Sequence, residues 1–475
     1  MSLKNVISAV ITEVKQKLTN FCKDVDESAA LTPELYLSMS TGLKDSLAAG
    51  GIAGLRTFLE SHDLRTDKLE INGETFYRKA PSSKEFLSPF GVMDLSRNVF
   101  QSNKGGKAFI PLDRNWGMVD EFATSDVRDA ILFGSSDLSP CTAEKLFKKI
   151  SLFHPSHTAI ENIINEAGEL INSYGASVLE EVRCEEELPK ETQVLVESLD
   201  GANLRLREAG IKKGRPVENP GKDDCRSTAS CFKNAMVGSI FCYGNLDDDT
   251  RERARLKSIY VARMPEEKAL KFKSDLETES SYWRKQIDSS IIRMTVTDGA
   301  LGIWKYLDTN PHYSGILKLL DFYHATEHLG DAAEALFGKN SKEGKYWYNK
   351  WKRKLKQENN AAFKLCRSIE YFLIDRPLGK TRKAEAQKQL TFFRRNKKRM
   401  NYVDFINKGL PIGSGPVEAA CKTIVKQRMC KSGMRWSREG GQPILSIRAI
   451  VKSQRWDQFW KVNVSKQHER MQAAA

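Results

Sequence analysis

The stretch Gly409-Leu-Pro-Ile-Gly-Ser-Gly-Pro-Val-Glu-Ala-Ala-Cys-Lys422 reads as a loop that runs into a helix. Pro416 suits the first helical position and Gly415 the cap before it, and Ala419 to Cys430 contain no breaker. Glu418 then falls in the first turn. A carboxylate there complements the helix dipole and stands four residues before Lys422, which is common surface chemistry. Gly409, Gly413 and Gly415 let the incoming backbone turn tightly or approach another group closely. Lys422, Lys426, Arg428 and Lys431 follow on the helix, with Arg435 and Trp436 beyond it, so an anion is expected nearby.

Composition narrows what the rest of the chain can be. At 475 residues it exceeds one ordinary core and predicts two or three domains. The 40% apolar and 29% charged content is that of a globular protein, and no apolar run approaches the roughly 18 residues of a membrane span. The N-terminal Met1 to Ile7 lacks the zones of a secretory signal, so a soluble, cytoplasmic protein with no membrane partner is expected. Nine scattered cysteines without a repeated Cys-x-x-Cys spacing predict neither a disulfide framework nor a closed zinc site. The charge is divided unevenly. Residues 1–340 hold 43 Lys and Arg against 51 Asp and Glu, a balance of −8, whereas residues 341–475 hold 32 against 10, a balance of +22. With Trp347, Trp351, Trp436 and Trp456 among these charges, the last third reads as a nucleic-acid face, the run Arg394, Arg395, Lys397, Lys398 and Arg399 above all.

Read in order, residues 1–188 form a mainly helical N-terminal region, expected to serve DNA binding or assembly. Helical patterns cover Val6 to Leu18 and Leu55 to Leu59. A small β-rich module follows between Glu70 and Asp113, with strands at Thr75 to Tyr77, Val92-Met93 and Ala108 to Ile110. Residues 139–170 predict a helix, a turn and a second helix, a candidate helix-turn-helix. The acidic stretch Glu185 to Glu191 marks a boundary. Beyond it, residues 189–324 predict an α/β region with strands at Val194 to Leu199, Ala235 to Tyr243, Ser258 to Ala262, Ile291 to Thr297 and Ile316 to Leu320. Three of them end in aspartate: Asp200, Asp298 and Asp321. Residues 325–408 predict a basic helical insertion, and 409–475 the rest of the α/β region with a tail.

One Asp-Gly after a strand is usually a turn, because Asp accepts local backbone hydrogen bonds and Gly supplies positive φ. Two of them, Asp200-Gly201 and Asp298-Gly299, change the expectation. Carboxylates at the ends of neighbouring strands can meet at one edge, and with a third from a helix they form a cluster that stays ionised only beside cations. Mg²⁺ suits such oxygen ligands, and a pair of ions holds the attacking and leaving oxygens of a phosphodiester during in-line displacement.

Asp200-Gly-Ala followed by Gly214-Arg-Pro, Asp298-Gly-Ala with Trp304, Leu320-Asp-Phe-Tyr-His324, Ile412 to Lys422 and Gly433-Met-Arg-Trp436 together resemble bacterial insertion-sequence transposases of the ISKra type, related to the Mutator-like group. The resemblance covers about residues 110–460, with Pro111-Leu-Asp, Arg448-Ala and Ser453-Gln-Arg-Trp-Asp in the same order. It implies a DDE transposase with an RNase H-like mixed-sheet core, interrupted by an all-helical insertion before the glutamate. Asp200, Asp298 and Glu418 are then the metal-binding triad for two Mg²⁺ or Mn²⁺ ions. Asp321 and His324 match the Asp-x-x-His element of the group and are candidate catalytic residues, His324 either contacting the scissile phosphate, orienting a metal ligand, or capping or packing beneath the active site. His328 makes a His-x-x-x-His pair with His324, which binds zinc only with a third strong ligand. The β-rich module departs from relatives that carry paired cysteines there, since residues 101–107 have none.

The implied activity is Mg²⁺-dependent cleavage and strand transfer in DNA recombination, by in-line phosphoryl transfer. The partners are the element's terminal inverted repeats and target DNA, bound at the bacterial nucleoid by a homodimer or higher homo-oligomer. Two alternatives stay open: a catalytically inactive DNA-binding descendant of a transposase, and an RNase H-like nuclease that cuts without joining.

Overall fold

A computed structural model of the protein describes residues 3–23, 25, 30–71, 73–103, 105–106, 108–207, 232–247 and 249–473; the Gly214-Arg-Pro motif lies outside them. The chain divides into two compact units, one comprising residues 1–184 with 455–475 and the other residues 185–454.

The first unit opens with two helices, α1 (Leu3–Cys22) and α2 (Pro33–His62), the second capped by the Thr32 hydroxyl. A three-stranded antiparallel sheet joins β1 (Lys68–Ile71), β2 (Glu74–Arg78) and β5 (Phe100–Ser102), while β3 (Ser82–Ser88) pairs with β4 (Gly91–Arg97). Ala108 to Ile110, expected as a strand, contributes only a bridge from Phe109 to Phe100, because the helix α3 (Pro111–Trp116) starts with Pro111. Helix α4 (Ser125–Asp137) follows. The candidate helix-turn-helix consists of α5 (Pro140–Ile150), capped by Ser139, and the much longer α6 (His157–Cys184). The C-terminal helix Trp456–Ala473 packs on α3, α4 and α6, with the Trp456 indole N–H donating to Asp129 at 2.6 Å.

The second unit is mixed α/β. Its five-stranded sheet contains β6 (Val194–Arg205), β7 (Phe232–Leu246), β8 (Arg253–Arg263), β9 (Ile292–Thr297) and β10 (Leu317–Leu320), in the order β10-β9-β6-β7-β8. β6, β7 and β8 pair antiparallel, whereas β9 and β10 run parallel to β6. The central strands are apolar on both faces, as a sheet covered by helices requires. Their cover includes α7 (Leu270–Arg284), whose Phe272, Leu276 and Trp283 are fully buried, and α8 (Leu301–Thr309). After β10 the chain turns helical: α9 (Phe322–Phe337), α10 (Lys342–Gln357), α11 (Ala361–Asp375), α12 (Lys380–Asn396) and the short α13 (Tyr402–Asn407). It then enters α14 (Gly415–Ala420), which continues through a π-helical stretch, Cys421–Lys426, into α15 (Gln427–Met429). The last helix of this unit, α16 (Arg438–Lys452), sends Arg448 back to the π turn, where its guanidinium donates to the carbonyls of Ile424, at 2.7 Å, and Thr423. That buried arginine satisfies backbone acceptors which the wider helical turn leaves exposed to it. Among the described residues, no helix is long and apolar enough to cross a membrane.

Candidate functional site

Asp200 does not end a strand. β6 runs on to Arg205, pairing Asp200 with Val237 and Gly201 with Met236 of β7. What ends near Asp200 is the parallel ladder on the other side, which stops at Glu197 and Thr295; beyond it the Thr297 hydroxyl reaches the Leu199 carbonyl at 2.9 Å. β9 finishes at Thr297, and Asp298 follows directly. A strand that continues beside one that stops leaves the two aspartates as neighbours at an open edge, and the sequence period alone cannot report where a ladder ends.

Glu418 lies in the first turn of α14, as expected, but the frame is shifted by one residue. Ser414 is the N-cap, Gly415 opens the helix and Pro416 comes second. The Ser414 hydroxyl donates to Glu418 Oε1 at 3.1 Å, so that carboxylate leans back on its own cap instead of pairing with Lys422. The other two acids are held in the same way: Asp200 Oδ1 accepts the Gly201 N–H at 2.6 Å, and Asp298 Oδ1 accepts the Ala300 N–H at 3.0 Å. Each of the three therefore has one oxygen fixed by a local donor.

The three charges feel one another at Asp200. Burial pushes its carboxyl above the ordinary range, the Gly201 N–H opposes that, and the charges of Asp298 and Glu418 push it up further. The buried Cys421 thiol, one helical turn past Glu418, donates to Asp200 and is itself pushed up by burial and by that carboxylate. Cys421 lies within the Ile412 to Lys422 motif, where the local sequence carries no signal of a contact with Asp200. Among the described residues, no group of three or more His, Cys, Asp and Glu side chains stands ready to hold a metal ion, so the carboxylates are neighbours and not a closed cage. Their chemistry fits a divalent cation nonetheless, since three hard oxygen donors repel one another until positive charge comes between them.

The Asp298 corner is packed from below by the helical segment. The Trp304 indole donates to the Asp298 carbonyl at 2.6 Å, and the Arg399 guanidinium lies 4.2 Å from the centre of the Trp304 ring. Gly299 is buried against Phe392 and His324: a Cβ there would stand 2.4 Å from the Phe392 ring and 3.2 Å from His324 Nε2. His324 thus sits beside the aspartate corner, with Nδ1 3.6 Å from Glu327. His328 stacks on Phe392 at 3.6 Å, takes a 2.6 Å hydrogen bond with Gln389, and is pushed below its usual pKa chiefly by burial. That is a packing histidine. Asp321 is fully buried and caps α9. Beside it, Tyr323 is 60% exposed with its ring edge against Gly413, where a Cβ would come within 2.9 Å.

The basic residues separate into two kinds. Lys422, Lys426, Lys431 and Arg435 are exposed. Arg428 is buried with its guanidinium 5.3 Å from the Trp436 ring, while Trp436 gives its indole N–H to Met429 and bridges Leu206. Both of these build the fold. Of the run expected to touch phosphate, Arg394 pairs with Glu370, Arg395 reaches the Gly299 carbonyl at 3.3 Å, Lys397 lies over Phe363 and Arg399 pairs with Asp308; Lys398 is exposed. No family model matches the chain, and a search of curated proteins found no similar sequence.

Proposed function

We propose that the chain is a DDE transposase of the ISKra type, which binds insertion-sequence ends and carries out divalent-metal-dependent cleavage and strand transfer. One observation carries the reading: carboxylates from β6, from the end of β9 and from the first turn of α14 come close enough that Asp298 and Glu418 both raise the pKa of Asp200. Acids 98 and 120 positions apart in sequence repel one another once folding brings them near, and a cation between them would relieve that cost. The mixed sheet, and the helices α9 to α13 that intervene between it and the glutamate, agree with an RNase H-like core interrupted by a helical insertion.

On this reading Asp200, Asp298 and Glu418 hold the ions, with the Gly201 and Ala300 N–H groups and the Ser414 hydroxyl orienting them. Bound divalent ions supply positive charge at the attacking and leaving oxygens of the phosphodiester. Exposed Lys422 and Lys426, on the helical continuation of the Glu418 turn, attract the DNA backbone to the same end of the unit. The test incubates the purified chain and Mg²⁺ with a DNA end carrying the element's own terminus. Joined product is expected, and Asp200→Asn, Asp298→Asn and Glu418→Gln should each abolish it while DNA binding persists. Cleavage without joining would make the chain a nuclease, and binding without either would make it an inactive descendant.

A further inference from the structure

Helix α10 carries seven Lys and Arg and a single acid, Glu343, between Lys342 and Gln357. Its buried stripe is Gly344, Trp347, Trp351 and Leu355, packed on α9, α11 and α13. The two tryptophans expected in a nucleic-acid face are therefore anchors of the interior, Trp347 also giving its indole N–H to Ser368 at 3.0 Å. Three of the seven cations turn to protein partners: Lys352 toward the Tyr348 ring, Lys354 to Glu358 and Lys356 over Phe322. Glu343 is taken by Arg376.

The other four cations, Lys342, Lys345, Lys350 and Arg353, are exposed and have no acidic partner among the described residues. At 100° per residue they fall on one face, opposite the buried stripe, together with Tyr346 and Asn349. Tyr346 is 71% exposed in the middle of this face. On the inner edge, Asp331 and Glu334 of α9 line a groove with Lys345 and Asn349 without forming an ion pair to it. At a rise of about 1.5 Å per residue the cations span about 16 Å, close to five base-pair steps of about 3.4 Å. A salt-laced solvated helix would show acids interleaved at i+4; this face has none.

We propose that the outward face of α10 binds the phosphate backbone of duplex DNA. Lys342, Lys345, Lys350 and Arg353 neutralise phosphates, and Tyr346 packs against the sugar-phosphate surface between them. The proposal rests on DNA being the substrate of the chain, as argued above, and does not involve the carboxylates.

The test measures the affinity of the full-length chain for a random-sequence duplex by fluorescence anisotropy across a salt series. A variant carrying Lys342→Gln, Lys345→Gln, Lys350→Gln and Arg353→Gln is compared with wild type. An equal-charge control changes Lys190, Lys268, Lys271 and Lys285 to Gln, exposed lysines outside both the N-terminal region and the basic last third. Four lost phosphate contacts should make the slope of log K against log salt shallower by about 3.6. The control should keep the wild-type slope, and all three proteins should melt alike because the changed side chains are exposed. A helix variant with the wild-type slope, or a control that shifts equally, would overturn the proposal. So would unaltered DNA binding with lost binding to phosphatidylserine vesicles, which would assign the face to lipid. Failure of strand transfer, by contrast, leaves these slopes as they are, so the two readings fall separately.

Discussion

The buried carboxylate of Asp321 joins segments 93 residues apart: Oδ1 accepts the His324 N–H at 2.6 Å at the start of α9, and Oδ2 accepts the Ser414 N–H in the loop before Glu418. Two backbone bonds run alongside it, Phe322 N–H to the Ile412 carbonyl and Asp321 N–H to the Thr297 carbonyl, both 2.9 Å. The loop that delivers Glu418 is thereby strapped to β9 and to α9. Asp321 sets the position of the glutamate, whatever else it does.

Asp321→Ala removes a helix cap and strands two N–H groups, one of them in a buried loop. A loss of about 3 kcal/mol in urea denaturation is expected. Asp321→Asn, whose single carbonyl oxygen serves one N–H at a time, should lose less. An alanine variant within about 0.5 kcal/mol of wild type would contradict the strap.

Gly299→Ala would place a methyl group 2.4 Å from the Phe392 ring. Overpacking of this kind costs about 1–3 kcal/mol. Phe392→Leu combined with Gly299→Ala should recover part of that cost, and the non-additivity in a double-mutant cycle measures it. Simple additivity would show that the ring does not lie on the aspartate corner.

The strand and helix pattern was legible because it rests on local periodicity: β7, β8, β9 and β10 fall where alternation and apolar runs put them, and Pro416 marks the helix of Glu418 within one residue. What sequence could not give was termination set by a neighbour. Val194 to Leu199 looked complete before Asp200-Gly201, a turn signal that pairing with β7 overrides, since the ladder continues to Arg205. The protein partners of the basic run are hidden for a related reason. Arg395 and Arg399 look like phosphate ligands in a basic run, yet their partners, the Gly299 carbonyl and Asp308, lie 96 and 91 positions away and are invisible to local reading. The basic character of α10 is legible in its composition, whereas its tryptophans belong to the buried stripe and not to the cationic face, which composition alone does not separate.

Arg399→Gln should destabilise the second unit by about 2 kcal/mol, because it removes an ion pair, a hydrogen bond to Asn396 and the contact over Trp304. Lys398→Gln, on the exposed neighbour, should stay within about 0.5 kcal/mol of wild type. Equal, negligible effects would return the run to a solvated surface.

Asp200 has its pKa raised by burial first and by its acidic neighbours next. A raised carboxylate pKa means that the folded state holds the proton more tightly, so the contribution is most favourable below the unfolded value of about 3.9 and is lost as pH rises through the folded value. In EDTA, the melting temperature of Asp200→Asn should exceed that of wild type by a margin that widens from about pH 4 toward neutrality. Mg²⁺ should narrow the margin by stabilising wild type alone. A margin that shrinks with rising pH would contradict the electrostatic account.

The central claim, that Asp200, Asp298 and Glu418 serve one divalent-metal site, is tested most directly by Mn²⁺ binding, read by electron paramagnetic resonance on the purified full-length chain. Wild type should remove Mn²⁺ from the free-ion signal, and Asp200→Asn, Asp298→Asn and Glu418→Gln should each weaken that binding at least about tenfold, about 1.4 kcal/mol. Asp321→Asn, with its carboxylate committed to two backbone N–H groups, should weaken it less than any of the three. A Glu418→Gln variant that binds Mn²⁺ as wild type does would leave Glu418 as the partner of its own Ser414 cap and contradict the shared site.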